Sequence, residues 1–574
     1  MNPRHCLLAF ASAVALLPAQ DQGAFRFALA DSIAVVRLAA PAKWQQQFAT
    51  TQVVKLLASD KLAPMVGAVS QGIEQGLGAL RQSGAFDADL LEKLLADYKG
   101  DVVVAASLDV DSMMQAITSG ETPSFGVTVA LTADGSYDLG KLAAELQKSI
   151  EKEVGKDLRD LQVGDHRLRC TKNEGEPDVV LPAMVDGHLV LMVSNDVEKF
   201  AAKVLGKGPR FAGGSGEGTM FAHVELAPLM KAVGEAAAAA SETPFDVGAL
   251  LDAVGLGCLG SMNGSLGATG KHLTAEATIQ FLEKERGLFR LLGKGDGTPK
   301  LMRLVPPDAD TWSVTPVDFG ALHGVVANIW SVVGDSAPMT WEQSQAAFAE
   351  NLKVRLKEDL LDHLGGELLM LQDLQTSVAN AAVEDEDDPM AGLNGMCAGI
   401  ALRDGKAFGE AIEKMLRARG LHASRKTEDY AATKVHRLRL AGLLDLEYAI
   451  TDDLLLLGIG SSPASQKALR SVLDARSNPA AAGEAPPAVK DAVAGLPAGW
   501  TGISVMSVDG WLRGFADGFV RGFAATSGTE LPPEVEQMLD ALKGVGGELG
   551  RFGLQTMVST TRMDAASMRS SIRW

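Results

Sequence analysis

The sequence predicts an α+β fold made of two homologous copies of a mainly antiparallel sheet-plus-helix domain. The tetrapeptide His-Arg-Leu-Arg occurs twice, at residues 166–169 and 436–439, each time inside a strand-like run and followed by the same order of elements. A repeat at this distance indicates a duplicated domain and not a solenoid of short units. Hairpin signals mixed with helical stretches, without regular βαβ alternation, favour antiparallel sheets.

The length of the chain also indicates more than one domain, because 574 residues exceed what a single hydrophobic core usually supports. We place the first copy at residues 25–292, with a subdivision near 206–219. The second copy spans residues 301–574, with a subdivision near 477–497, where alanine and proline favour a loop or linker. Three glycines and a proline within residues 292–299 predict the boundary between the copies.

Each copy begins with the same early elements. A strand entered from a turn comes first, at residues 30–35 and 309–314, and a helical stretch follows. A helix then ends at a glycine, the usual residue after a helix C-terminus, within residues 94–101 and 360–367. Short apolar runs come next and predict buried strands.

The later elements also follow one order in the two copies. Strands at residues 129–131 and 400–402 lead through an Asp-Gly turn into a helix, and the His-Arg-Leu-Arg strand follows. Asp186-Gly187 then predicts a hairpin that leads into an apolar strand.

The first residues predict an export signal. A basic start at Arg4 precedes an uncharged apolar stretch at 6–19, which is too short to span a bilayer comfortably. We therefore expect residues 1–19 to be a cleaved signal peptide and the mature chain to be extracytoplasmic, either periplasmic or secreted. The alternative is an uncleaved N-terminal anchor. After the signal, the sequence holds no run of the roughly 18 apolar residues that a membrane helix needs.

The composition argues against two classes of partner. The net charge of the chain is −19, so phosphate backbones would repel it and nucleic acid is not expected as a partner. Aromatic residues make up only 5% of the chain, which weakens a carbohydrate site built on aromatic stacking.

The cysteine count excludes a complete disulfide framework. Removal of the signal leaves Cys170, Cys258 and Cys397, which is an odd number. Buried free thiols are the simpler interpretation, and a disulfide between Cys258 and Cys397 is the alternative.

Two short motifs match functional patterns in spacing alone. Residues 255–260 spell Gly-x-Gly-x-x-Gly, but a helix precedes them and β-like sequence follows, the reverse of a dinucleotide site. We interpret them as a helix-ending turn. Ser149 and Lys152 have the Ser-x-x-Lys spacing of a serine acylation site, yet they lie in a charged helical stretch and the companion motifs are absent from the sequence.

The nine histidines are scattered, and neither His188 nor His363 with Glu367 forms a metal-protease motif. His166 and His436 are the most suggestive pair, because they could mark equivalent ligand positions in two lobes. Strand alternation places each histidine and the following leucine on one face and both arginines on the other. A half-exposed sheet surface explains this pattern without a ligand, and we favour that interpretation.

Residues 384–388 form the densest run of charge, with five carboxylates before Pro389. Hard cations such as Ca²⁺ prefer oxygen ligands, but the run lacks the spaced Asp-x-Asp-x-Asp-Gly loop. We interpret the run as a solvated hairpin loop and assign no metal ligand.

The layout of the chain resembles exported bacterial proteins of unknown function with a duplicated α+β domain. The resemblance lies in the export signal, the Ala- and Leu-rich body, Pro-Pro-Asp-Ala at 306–309 and Leu-Gly-Gly-Glu at 364–367. It covers most of the mature chain and implies no activity, so it transfers no functional residues.

We therefore expect an exported, non-enzymatic, two-lobed protein of binding, scaffolding or envelope-structural type. No catalytic, cofactor-binding or metal-binding residue is assigned. A groove between the lobes is the expected place for a protein partner or a small apolar ligand. The alternatives are a carrier of an apolar ligand and a hydrolase whose residues meet only in the fold. Shifted pKa values clustered in one cleft would favour the hydrolase.

Overall fold

The computed structural model of the chain describes two compact units. The described residues are 24–39, 47–60, 93–94, 97–100, 102–109, 112–113, 123–154, 158–172, 177–206, 209–211, 219–240, 246–283, 287–307, 309–334, 338–373, 395–440, 444–459, 463–478, 485–514, 516, 539–540, 544–552 and 554–573. The first unit lies within residues 1–57, 66–242 and 259–282, and the second within 58–65, 243–258 and 283–574.

The first unit contains an antiparallel sheet of ten described strands. They are β1 (Ser32–Leu38), β2 (Val102–Leu108), β3 (Phe125–Thr132), β4 (Leu158–Val163), β5 (His166–Thr171), β6 (Asp178–Val185), β7 (His188–Ser194), β8 (Met220–Glu225), β9 (Leu259–Thr269) and β10 (His272–Phe281). Their order across the sheet is β4-β5-β6-β7-β3-β2-β1-β8-β9-β10, and all of these neighbours are antiparallel.

Helices cover both faces of this sheet. The described α-helices of the first unit are α1 (Gln52–Leu57), α2 (Leu139–Val154), α3 (Val197–Leu205) and α4 (Leu226–Ala240). Leu142 of α2 packs with Leu189 and Leu191 of β7, whereas Phe200 of α3 packs with Val190 and Met192 of the same strand. The strand is apolar at every one of these positions because both of its faces are buried.

The second unit contains ten described strands as well. They are β11 (Thr311–Pro316), β12 (Leu364–Gln372), β13 (Met396–Leu402), β14 (Lys426–Tyr430), β15 (Thr433–Leu440), β16 (Leu444–Ile450), β17 (Leu454–Ile459), β18 (Trp500–Ser507), β19 (Thr556–Met563) and β20 (Ser567–Arg573). Their order is β14-β15-β16-β17-β13-β12-β11-β18-β19-β20, again antiparallel throughout, so strands in corresponding places follow the chain in the same way in each unit.

The second unit also carries a helix from the earlier half of the chain. Its described α-helices are α5 (Val247–Val254), α6 (Phe319–Val333), α7 (Trp341–Leu352), α8 (Gly405–Ala418), α9 (Pro463–Ser477), α10 (Pro487–Ala494) and α11 (Gly546–Phe552). Helix α5 follows α4 and precedes β9, both of the first unit, yet it belongs to the second unit and packs against α6.

Helices α8 and α9 lie on opposite faces of the second sheet. Phe408 of α8 packs with Leu455, whereas Leu469 of α9 packs with Leu454 and Leu456. The alternation of β17 therefore sends successive leucines to two different cores. The α8 face carries the cleft described below.

Two turns that the sequence predicts are confirmed. Asp186 and Gly187 have φ values of 47° and 79° and join β6 to β7, which is the left-handed pair that a two-residue hairpin favours. Gly255 ends α5 with φ 97°, and β9 follows after a 3₁₀ turn at Leu256–Cys258. The glycine-spaced motif is thus a helix-ending turn.

The α+β class with antiparallel sheets is confirmed, and one linker expectation is wrong. Residues 487–494 form α10, whose Val489 is fully buried, so this part of the alanine- and proline-rich segment is packed structure. The glycine-rich residues 292–299 lie in the second unit. There Gly295 N donates to Trp500 O at 2.7 Å, and Trp500 Nε1 donates to Gly297 O at 3.0 Å.

The cysteines are confirmed as buried free thiols at Cys170, Cys258 and Cys397. Burial raises the pKa of the Cys397 thiol to about 12, so this group stays protonated at neutral pH. Among the described helices, none combines the length and the apolar character needed to cross a membrane.

Candidate functional site

The site that the structure supports best is a cleft in the second unit between the first half of α8 and strands β15 and β16. Its volume is about 500 Å³, and its lining includes Lys406, Glu413, Lys434, His436 and Tyr448. We call it the His436 cleft. Its lining comes from four separate parts of the chain, namely 405–413, 432–436, 448–452 and Arg476, so it exists only in the folded unit.

One wall is fixed by the start of α8. The Asp404 carboxylate accepts a hydrogen bond from Ala407 N at 2.9 Å, which caps the helix. Gly405, the first helical residue, donates its N–H to Asp452 O at 3.0 Å. A Cβ atom at Gly405 would lie 1.9 Å from Thr451 O, so only glycine allows the helix to start this close to the turn after β16.

His436 lies in the middle of β15, opposite Thr427 on one neighbouring strand and Tyr448 on the other. His436 Nδ1 is hydrogen-bonded to Thr427 Oγ1 at 2.9 Å, and its ring centroid lies 4.9 Å from that of Tyr448. Burial lowers the pKa of His436, and Arg425 and Lys434 add to this effect while Glu413 opposes it. The imidazole is therefore neutral at pH 7.

Arg425 links the helix wall to the sheet wall. Arg425 Nη1 donates hydrogen bonds to Glu413 of α8 and, at 3.1 Å, to Tyr448 Oη of β16. The Arg425 side chain is only 13% exposed. The hydrogen bond from Arg425 lowers the pKa of Glu413, and burial raises that of Tyr448, so the network holds one carboxylate, one guanidinium and one neutral phenol.

The rim of the cleft carries cations. Lys406 and Lys434 are exposed, and neither forms an ion pair within the part of the chain that the structure describes. Arg476 also lines the cleft, but its Nη2 is paired with Asp453 at 2.7 Å. A hydrogen-bonded polar wall beside two exposed ammonium groups is suited to binding a polar molecule.

The two histidines of the repeated tetrapeptide occupy different positions within their strands. His166 pairs with Val163 directly beside a hairpin turn, whereas His436 lies three residues into its strand. Leu168 packs into the core under α3, the helix that follows β7. Leu438 packs under α8, the helix between β13 and β14, so the two leucines face helices at different places in their units. The expected alternation of exposed arginine and buried leucine is confirmed in both strands, although the tetrapeptides do not occupy equivalent positions.

The other sequence motifs lie outside the cleft. Ser149 and Lys152 lie on α2 of the first unit. Glu367 accepts hydrogen bonds from the backbone N atoms of Lys300 and Leu301, at 3.1 and 2.9 Å, and thereby caps the 3₁₀ helix Leu301–Leu304.

His188 is buried, with its ring centroid 5.1 Å from that of Phe27. The acidic run at 384–388 lies outside the described residues. Within the described part of the chain, no group of three or more His, Cys, Asp or Glu side chains is arranged to hold a metal ion.

Sequence reasoning missed most of the cleft. Glu413, Arg425 and Tyr448 belong to no sequence motif, and they meet only because α8 packs on the sheet beside β16. One signal was available: the chain has four tyrosines, and a scarce tyrosine in an apolar strand needs a partner for its hydroxyl.

Comparisons with known proteins add a weak likeness to solved structures. No family model and no curated protein matches the chain. Crystal form IV of the treponemal protein TP0453 is similar with 8% identity and a TM-score of 0.22, over 45% of this chain and 79% of that one. Crystal form III gives 8% identity and a TM-score of 0.21, over 46% of this chain and 80% of that one.

Proposed function

We propose that the protein is an exported, non-enzymatic binding protein that holds a small polar ligand in the His436 cleft. The observation that supports this most is the Glu413–Arg425–Tyr448 network, which joins the helix wall of an open cleft to its sheet wall. The Arg425 guanidinium is largely removed from water, with 13% of the side chain exposed, and this has a desolvation cost. An arginine that served only solubility would stay exposed and avoid that cost. A preorganised polar wall of this kind lowers the cost of ordering the site when a ligand binds.

We also propose that the two units arose by duplication. The identical strand order in the two units supports this, since ten strands have many alternative arrangements. The tetrapeptide at 166–169 and 436–439 does not support it, because its register differs between the units. A duplicated scaffold with a cleft built in the second unit fits a binding protein in which one copy has specialised.

A second candidate function, a hydrolase, is favoured by one specific observation. Thr427 Oγ1 lies 2.9 Å from Nδ1 of the neutral His436, which is the spacing of a hydroxyl nucleophile and its general base. Shifted pKa values at Glu413, His436 and Tyr448 also cluster in this cleft. In this reaction Thr427 Oγ1 would attack an acyl carbonyl and form an ester as the bond to the leaving group breaks, while His436 would take the hydroxyl proton and give it to the leaving group. Water would then cleave the ester, with His436 again as the base, and restore the Thr427 hydroxyl.

Native mass spectrometry of the gently purified exported protein tests the binding function. We expect a bound small molecule on the wild-type chain and its loss from Tyr448→Phe combined with Glu413→Gln, which dismantles the wall. Lys300→Gln, an exposed change outside the cleft, is the matched control and should keep the ligand. A wild-type chain without added mass, or equal retention by both variants, would refute the proposal.

Two further measurements separate the remaining points. Hydrolysis of p-nitrophenyl acetate that disappears in Thr427→Val would establish the hydrolase, and a rate equal in both chains would dismiss it. The intact mass of the exported chain tests export with cleavage, for which an N-terminus at Gln20 is expected and a retained residue 1 is the contrary result.

A further inference from the structure

We infer that the ligand of the His436 cleft is a small organic anion with a planar body, held by Lys406 and Lys434 and packed against His436 and Tyr448. The inference rests on the proposed binding function and names the ligand class for the same site. Three features carry it: the charge of the lining, the aromatic wall, and the groups that face His436.

The charge of the lining is opposite to that of the chain as a whole. The chain has a net charge of −19, yet Lys406 and Lys434 line the cleft without an ion-pair partner among the described residues. Glu413 is compensated by Arg425, which leaves Asp452 as the uncompensated carboxylate of the lining. Two free cations against one anion favour a negatively charged ligand.

The aromatic wall offers a surface for a flat ligand. The ring planes of His436 and Tyr448 are tilted by 36°, and Tyr448 is buried while His436 is half-buried. Ile412 and Ile450 also line the cleft, so its floor is partly apolar. A volume of about 500 Å³ is within the usual range for a small-molecule site.

An anion in this cleft would also change the protonation of His436. The charged groups that face the imidazole are Glu413 from α8, Arg425 before β14 and Lys434 on β15, with the neutral Tyr448 on β16. A bound carboxylate stabilises the imidazolium and raises the pKa of His436. Binding is therefore expected to take up a proton and to be tighter at pH 6 than at pH 8.

The test uses three ligands of one size on the full chain. The ¹³C-labelled histidine resonances are followed by NMR during titration with benzoate, benzamide and benzylamine, and His436→Gln assigns the His436 signal. We expect benzoate to move this signal and to raise the pKa of His436, with weaker effects from the neutral and cationic compounds.

Charge variants locate the anion. Lys406→Gln and Lys434→Gln should each weaken benzoate binding about two- to fivefold, as expected for an exposed ion pair. Lys300→Gln should leave the affinity unchanged. Because both lysines of the cleft are exposed, their removal spares the core.

Each outcome decides something different. Benzamide or benzylamine binding as tightly as benzoate, with displacement of the His436 signal, would overturn the anion class and leave the binding function intact. Benzoate affinity that is unchanged in a variant carrying both Lys406→Gln and Lys434→Gln would also overturn it. No displacement by any of the three compounds would count against the binding function itself.

Discussion

The buried carboxylate of Glu447 on β16 is held by both terminal nitrogens of Arg470 on α9, at 3.2 Å for the shorter contact. Glu447 is 6% exposed, and burial raises its pKa although Arg470 opposes the shift. This pair lies on the α9 face, so the two successive residues Glu447 and Tyr448 send their polar groups to opposite sides of one sheet. Both faces of β16 therefore carry a polar anchor inside an apolar layer.

We predict that Arg470→Met destabilises the protein by about 3 kcal/mol, because it leaves the buried Glu447 carboxylate without its cation. Combining it with Glu447→Leu should recover most of the loss, since two apolar side chains replace a desolvated pair. The free energy of unfolding from urea titration measures both changes. Arg476→Met, which breaks a more exposed pair with Asp453, is the control and should cost about 1 kcal/mol or less. Equal costs for the two arginine variants would contradict the prediction.

We predict that Gly295→Ala costs about 2 kcal/mol or more, because a Cβ atom there would lie 2.1 Å from the ring of Trp500. Trp500 is 1% exposed and cannot move without opening the core. Gly366→Ala on β12 is the control, since no atom lies within 4 Å of the added carbon, and it should change stability by about 0.5 kcal/mol or less. Thermal unfolding of the two variants makes the comparison, and a similar midpoint for both would show that the ring yields.

We predict that stability falls as the pH drops below 6.5. Burial lowers the pKa values of His188 and His436 from 6.5, so the unfolded chain takes up these protons before the folded chain does. The stabilisation is complete above pH 6.5 and is lost as the pH falls through the lowered folded pKa values. Urea titrations at half-unit steps from pH 8 to pH 5 measure the slope. His436→Gln should make the pH dependence of the unfolding free energy shallower. An unchanged slope would show that His436 does not contribute to this pH dependence.

We predict that the folded chain is inert to thiol reagents. Cys170, Cys258 and Cys397 are buried, and burial raises the pKa values of Cys170 and Cys397, so little thiolate is exposed to attack. Ellman's reagent should find no reactive thiol in the native protein and three in guanidinium once residues 1–19 are removed. A disulfide between Cys258 and Cys397 would reduce the denatured count to one.

The sequence allowed good predictions where local chemistry decides the structure. Asp186-Gly187 and Gly255 require left-handed backbone, so glycine marked both turns correctly. The alternation of His-Arg-Leu-Arg could not predict which face of the sheet each residue occupies. A strand displaced by an odd number of residues keeps its alternation but turns every side chain to the other face. Arg425 contacts Glu413 and Tyr448 only after α8 has packed on the assembled sheet, so no local sequence pattern predicts these hydrogen bonds.

The crossing of α5 into the second unit bears on how the chain can be divided. Residues 243–258 leave the first unit and return to it at β9, so the division in space needs several breaks in the chain. A fragment that begins at residue 283 would lack α5 and expose the side of α6 that α5 covers. During translation α5 is made before the rest of the second unit, so it cannot pack against α6 until the later residues have been synthesised. The two units therefore cannot fold strictly one after the other as the chain is synthesised.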